Sequence, residues 1–253
     1  MRINAGKHLL GAACIAFASH GVADTGGDSY TIEFQGEARE QGGDTLFYTE
    51  HHKQTGYCDG DRWMLEAHEV EYRDPDGELI ATKSLDYTES QQRPSYRSDN
   101  RQFDEVMEVT NRNDEVVEIR WTTHDGEEKS WDVDMKSNAV IDSGFEGATQ
   151  DNWDALLDGQ RLDIEFLAST RGRFYSFRVR ETDPDFDAVG DHVFRISASG
   201  WVTRWFADEI FLGYSEDRRL TDYYGQTNIP REPGENYQAH IRYEYNDSLS
   251  CAN

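Results

Sequence analysis

Alternation of apolar and polar side chains at every second residue recurs from Tyr30 almost to the end of the chain, and it constrains the fold more than any other feature. Side chains of a strand point to its two faces in turn, so each such run buries one face and wets the other. Tyr30, Ile32 and Phe34 form one face of a first run. Trp63, Leu65 and Ala67 share a face of a later one, with Met64, His68, Val70 and Tyr72 opposite them. Asp74-Pro75-Asp76-Gly77 is a tight-turn sequence, after which Leu79, Ala81 and Leu85 continue on a partner strand. Val117, Ile119 and Trp121 stop at His124-Asp125-Gly126-Glu127 and resume at Trp131 and Val133. Leu162-Ile164-Phe166, Tyr175-Phe177-Val179, Phe194-Ile196-Ala198 and the alternating Tyr237 to Tyr245 complete the series. Short turns between such runs predict an antiparallel meander, and a sheet of about ten strands must curl or close.

One stretch departs from the rhythm. Ala148 to Gly159 has helical spacing, with Trp153, Leu156 and Leu157 on one side, Thr149 as expected N-cap and Gly159 as expected stop. The expected fold is therefore mainly β: a long antiparallel meander forming a strongly curled sheet or half-barrel, with one mid-chain α-helix against the concave side. Gln91–Asn100 and Asp183–Asp191 are the longest loop-like stretches, and no Pro/Ser-rich linker divides the chain. Charges fall on both faces of the strands, as at Glu66, Glu69 and Glu71 around Val70, so an integral outer-membrane barrel is not expected.

The first 23 residues follow a different logic. Arg2 and Lys7 precede the apolar run LLGAACIAF, Gly21-Val22-Ala23 supplies small residues, and no acid precedes Asp24. That order predicts a signal peptide over 1–23, leaving 24–253 as a single β-rich domain addressed to the periplasm or beyond. The run is about half the 20 or so residues that span a bilayer. Lipid attachment at Cys14 is disfavoured, because the preceding Leu10 stands one residue too far away. Cleavage leaves Cys58 and Cys251, which an oxidising compartment is expected to join. The formal net charge is −25, and loss of Arg2 and Lys7 makes it two units more negative. Such a chain is repelled by phosphate backbones, which excludes nucleic acid as partner.

Motifs for chemistry are few. His51 and His52 are neighbours on a strand-like run and point to opposite faces, and His68, His124, His192 and His240 lack ligand spacing, so no metal site is expected. Asp183, Asp185, Asp187 and Asp191 alternate as in a calcium loop, but Ala188 and Phe194 stand where an EF-hand needs Gly and Glu; a solvated acidic loop is the expected reading. There is no Gly-x-Ser-x-Gly nucleophile elbow, and 50 acids make carboxylate pairs uninformative. No catalytic residue and no cofactor are assigned. The aromatics (13 Tyr, 12 Phe and 6 Trp) either fill the curl or wall a cavity; Trp121, Phe145 and Trp153 are the expected wall residues if it is hollow.

Val140-Ile141-Asp142-Ser143-Gly144-Phe145-Glu146 leading into Asn152-Trp153-Asp154, the run Arg218-Arg219-Leu220 through Tyr223 to Ile229, and Ile80-Ala81-Thr82-Lys83 resemble a group of uncharacterised exported proteobacterial proteins. The long meander with a mid-chain helix is also similar to the curved sheets of periplasmic lipoprotein carriers (LolA/LolB-like), which usually carry more than one helical plug. That likeness implies a non-enzymatic periplasmic protein holding a lipid or other hydrophobic ligand. An envelope interaction or structural module with a packed core is the alternative, and an enzyme acting on a cell-envelope substrate the third.

Overall fold

The computed structural model describes residues 29–60, 62–199, 209–246 and 251. The expected signal peptide at 1–23, with Cys14 inside it, lies outside the described residues. Fifteen strands form one sheet in the order β8-β7-β6-β5-β4-β3-β2-β1-β15-β14-β13-β12-β11-β10-β9. The first wing comprises β1 (Tyr30–Glu40), β2 (Leu46–Asp59), β3 (Arg62–Arg73), β4 (Leu79–Asp86), β5 (Ser95–Asn100), β6 (Glu105–Arg112), β7 (Val116–Thr122) and β8 (Glu128–Asp134). The second begins with β9 (Ala139–Val140), α1 (Gly144–Asp151) and α2 (Trp153–Leu157). It returns through β10 (Leu162–Ala168), β11 (Arg173–Glu181), β12 (His192–Ala198), β13 (Ile210–Tyr214), β14 (Leu220–Glu232) and β15 (Glu235–Tyr245). Every pairing is antiparallel except β9 on β10. From β1 at the centre the sheet thus meanders to one edge, crosses to the other edge and meanders back until β15 pairs with β1.

The wings curl toward each other without closing a hydrogen-bonded barrel. Ile141 and Leu167 of the second wing share a core cluster with Met107, Val109, Val117 and Ile119 of the first. Gly172, in the left-handed region at φ 58°, lies so close to the Trp131 ring of β8 that a side chain there would collide with it. α1 and α2 sit on β10–β13, where Phe145, Ala148, Trp153 and Leu156 pack on Ile164, Phe177, Phe194 and Tyr214. Each such buried large side chain contributes on the order of 1.5–3 kcal/mol. Cys58, near the end of β2, is bonded to Cys251 across a sequence separation of 193.

Local details differ from the periodic reading. A bulge opposite Thr55 and Gly56 puts Leu65 on the same inner face as His68, Val70 and Tyr72, rather than opposite them. The segment Gln91–Asn100 is not all loop: Ser95–Asn100 is β5, whose polar sequence hides its strand character. The helix begins earlier than expected and breaks at Asn152. Thr149 is consequently buried inside α1 rather than capping it, and Ser143 occupies the N-cap position without a side-chain hydrogen bond to the helix backbone. Gly159 does end the segment, at φ 77°.

Candidate functional site

The concave face carries polar groups where a filled β core would carry apolar ones. Tyr48, Glu50, His52, Gln54 and Gly56 alternate along β2, and all point inward. The imidazole of His52 is stacked on Phe34, centroids 4.4 Å apart, and Phe34 in turn on Tyr245 at 4.5 Å. His52 Nε2 lies 2.9 Å from Glu50 Oε2, and His52 Nδ1 lies 2.9 Å from His68 Nε2 on β3. With Glu50 ionised and both rings neutral, one proton arrangement satisfies both contacts: His52 Nε2–H donates to Glu50, and His68 Nε2–H donates to His52 Nδ1. His68 Nδ1 is then a bare acceptor, and it has no partner among the described residues. Burial, reinforced by His52 and Lys83, holds His68 well below the usual imidazole range.

Lys83, inward on β4 opposite Val70, donates to both oxygens of Asp142 at 3.0 and 2.8 Å. Their side chains are 5% and 9% exposed, so the pair is buried. Asp142 follows β9 and holds φ at 47°, an uncommon value that its short polar side chain tolerates. It accepts from Ser143 N–H at 2.8 Å and Ser143 O–H at 2.9 Å, which fixes the entry to α1.

A shell of tyrosines surrounds these groups. Burial first, and nearby carboxylates second, push up the hydroxyls of Tyr48, Tyr72, Tyr87, Tyr96, Tyr214, Tyr223, Tyr243 and Tyr245. The carboxylates are Glu50, Asp142 and Glu146. Glu146 projects from α1, makes no hydrogen bond or ion pair to any described residue, and is pushed by desolvation up to about 7.

The expected wall residues separate into two places. Phe145 and Trp153 come together under the helices, where Trp153 meets Phe194 and Tyr214 edge-on at 5.4 and 5.6 Å. Trp121 lies apart on β7, stacked near Trp131, with its Nε1–H donating to Glu105 and Lys129 5.0 Å above its ring. Asp183–Asp191 is a loop strapped over the outer face by Phe186, which stacks on Tyr224 at 4.2 Å. Asp187 pairs with Arg242, Asp191 accepts the N–H of Glu216, and the N–H groups of Val189 and Gly190 donate to buried Asp222. Among the described residues no group of three or more His, Cys, Asp or Glu is arranged to hold a metal ion. None of their helices is long and apolar enough to cross a membrane.

Spacing alone missed the convergence of His52 and His68, which needs the β2–β3 register. A signal was present nonetheless: Tyr48, Glu50, His52 and Gln54 alternate with the same period as the apolar runs.

No protein-family model and no curated protein matches the chain. Among solved structures, the chain is similar to a "Beta-barrel-like Protein of Domain of Unknown Function DUF1849 from Brucella abortus", at 8% identity over 86% of this chain and 94% of that one, with a TM-score of 0.37. A likeness of that strength assigns neither ligand nor activity.

Proposed function

We propose that this is an exported, periplasmic, non-enzymatic protein that binds a hydrophobic ligand on the concave side of its curled sheet. The observation that carries the reading is the state of Tyr96, Tyr223, Tyr243, Tyr245 and Glu146. Desolvation is the largest influence on each, so their polar ends lie deep in the protein. Each nonetheless keeps part of its surface accessible. On this reading these groups, deep and still accessible, would border a space on the concave side of the sheet. Phe145 and Trp153 pack beneath the helices on one side of it, and the Glu50–His52–His68 line lies on the opposite wing. Apolar walls with a few placed polar groups are the usual make-up of a small-molecule site.

Native mass spectrometry of protein purified from the cell envelope, followed by organic extraction, should find a co-purified apolar molecule and a mature N-terminus at Asp24. Protein stripped of that molecule should take up dodecanol at one saturable site. No extractable molecule together with no saturable dodecanol uptake would sink the binding reading, and an intact Met1 would remove the compartment.

A further inference from the structure

We propose that the free edge of β8 is a docking site for an extended basic segment of another protein, which adds to the sheet as an antiparallel sixteenth strand. The inference concerns the outside of the molecule and is independent of what its concave side holds.

The edge stays open because the two ends of the sheet overlap instead of meeting. Leu167 and Phe174 pack under the first wing, and both point to the face of β10 and β11 opposite Ile164, Phe166, Tyr175 and Phe177. The inner side of β6–β8 therefore lies on the back of the second wing, and β8 is not placed to pair with β10. At the other end of the sheet, the two residues of β9 and both the carbonyl and the side chain of Asn138 cover β10. β8 has no such cover among the described residues.

The phase of the ladder says which groups are free. Thr123 N–H donates to the Glu127 carbonyl and Met135 N–H to that of Glu115, both at 2.9 Å. Between those bonds the β7–β8 register runs without a shift, so the odd-numbered residues of β8 bond to β7. The N–H and C=O groups of Glu128, Ser130, Asp132 and Asp134 consequently point away from the sheet, and none has a backbone partner among the described residues. A row of this kind is a template for another strand, which proteins blunt with proline, a bulge or charge. β8 has neither proline nor bulge, and what it carries instead is charge of one sign.

That charge selects the partner. Glu128, Asp132 and Asp134 are exposed on the outer face, and no described residue forms an ion pair or side-chain hydrogen bond with them. On β7, Glu118 stands opposite Asp132 and is already paired with Arg112, while Arg120 stands opposite Ser130. Like charges facing each other across two strands destabilise the pairing, and opposite charges stabilise it. A second copy of this chain, with its net charge of −25, would set acid against acid at this edge. A strand with Lys or Arg at every second position sets a cation beside each acid. Its intervening side chains fall on the side of Trp131 and Val133, which are half-buried. The occupant is thus a segment that alternates basic and apolar residues, held by main-chain hydrogen bonds and selected by its side chains. Antiparallel addition continues the pattern of the β1–β8 wing.

The test is calorimetric titration with the capped peptide Lys-Val-Lys-Val-Lys-Val-Lys in about 0.15 M salt, where the Debye length is about 8 Å. One peptide should bind per chain, and amide exchange at Ser130 and Asp132 should slow. In antiparallel register the lysine N–H groups face β8, so N-methylation of the lysines keeps the charge and removes the donors. That peptide, and one with Glu in place of Lys, should each bind at least about tenfold more weakly. Ser130→Pro deletes an outward N–H and leaves the β7 ladder intact, so it should fold and weaken the parent peptide by a similar factor. Glu128→Lys combined with Asp132→Lys changes only exposed side chains and should reverse the preference toward the Glu peptide, which keeps the test decisive even where Ser130→Pro does not fold. Equal binding of the N-methylated peptide would mean attraction to the acidic exterior alone and overturns the inference. Unchanged affinity in folded Ser130→Pro, an unreversed preference in the double variant, or no saturable binding overturns it as well.

Discussion

Removal of one charge from the buried Lys83–Asp142 pair should destabilise the fold far more than loss of any pair on the surface. Lys83→Met keeps most of the aliphatic stem and its volume while deleting the ammonium group. Asp142, its side chain 9% exposed, would then keep only the N–H and hydroxyl of Ser143 and a long 3.5 Å contact from Asn228. An uncompensated buried charge costs about 3–5 kcal/mol, against about 0–1 for an exposed pair such as Lys53–Glu69, whose side chains are 53% and 68% exposed. For a chain of this size that cost lowers Tm by about 6–20 °C. The partner change Asp142→Asn leaves Lys83 buried instead, and asparagine tolerates the φ of 47° at that position. Because each single variant strands the other's charge, the double variant should cost at least about 2 kcal/mol less than the sum of the two. Urea unfolding at one pH measures all three, with an unchanged slope certifying that only stability moved. A Lys83→Met cost below about 1 kcal/mol with additive behaviour in the double variant would refute the argument. The pair would then be effectively solvated, and Asp142 would not be what fastens the second wing to β4.

Glu146, raised from 4.5 to about 7 by burial, holds a proton in the folded state that the unfolded chain has already released. Its contribution is fully present below about 4.5 and lost as pH rises through about 7; the loss is a few kcal/mol at most, and Glu146→Gln should flatten stability across that window in urea titrations. Replacing Cys58 and Cys251 by Ser together opens a loop of sequence separation 193, which the chain-entropy model values at about 5 kcal/mol and experience with native bridges at about 2–5. Unfolding of the oxidised wild type and the Ser pair side by side checks this, and a difference under about 1 kcal/mol would show the bridge to be idle.

How far the sequence revealed this molecule depended on whether burial was apolar. Ile32 and Phe34, Val117 and Ile119, and Phe177 and Val179 are buried where alternation put them, because burying such side chains is what makes a strand of them. The turn at Asp74–Gly77 was equally legible: Gly77 takes φ 86°, and Asp74 Oδ1 accepts the N–H groups of Asp76 and Glu78. β5 was not, since Ser95–Asn100 has few apolar side chains and is held by ladders to β4 and β6. The bulges that re-aim Leu65 and shift the β4 register likewise depend on partners far along the chain. Of the expected site residues, Phe145 and Trp153 shared a short segment and met; Trp121 was matched to them by residue type alone and belongs to another cluster.

The polar interior was hidden for a different reason. In a chain with 50 acids, Glu50, Asp142 and Glu146 look like any others, and nothing local marks them as buried. Their positions follow from cross-strand geometry. Glu50 stands opposite Gly36, where a side chain would run into the Tyr243 ring, so the glycine makes room for that ring in the curl. His52 stands opposite Phe34, which receives its ring face. Asp142 turns inward because a left-handed residue between β9 and α1 reverses the chain toward Lys83. A core meant only for stability would do better with apolar residues at these places, since replacing a buried ion pair with well-packed apolar groups is often neutral or stabilising. Two histidines, a lysine and three carboxylates inside one curled sheet therefore weigh against a purely structural interior, and they weigh most at Glu146, which has no protein partner to account for it among the described residues.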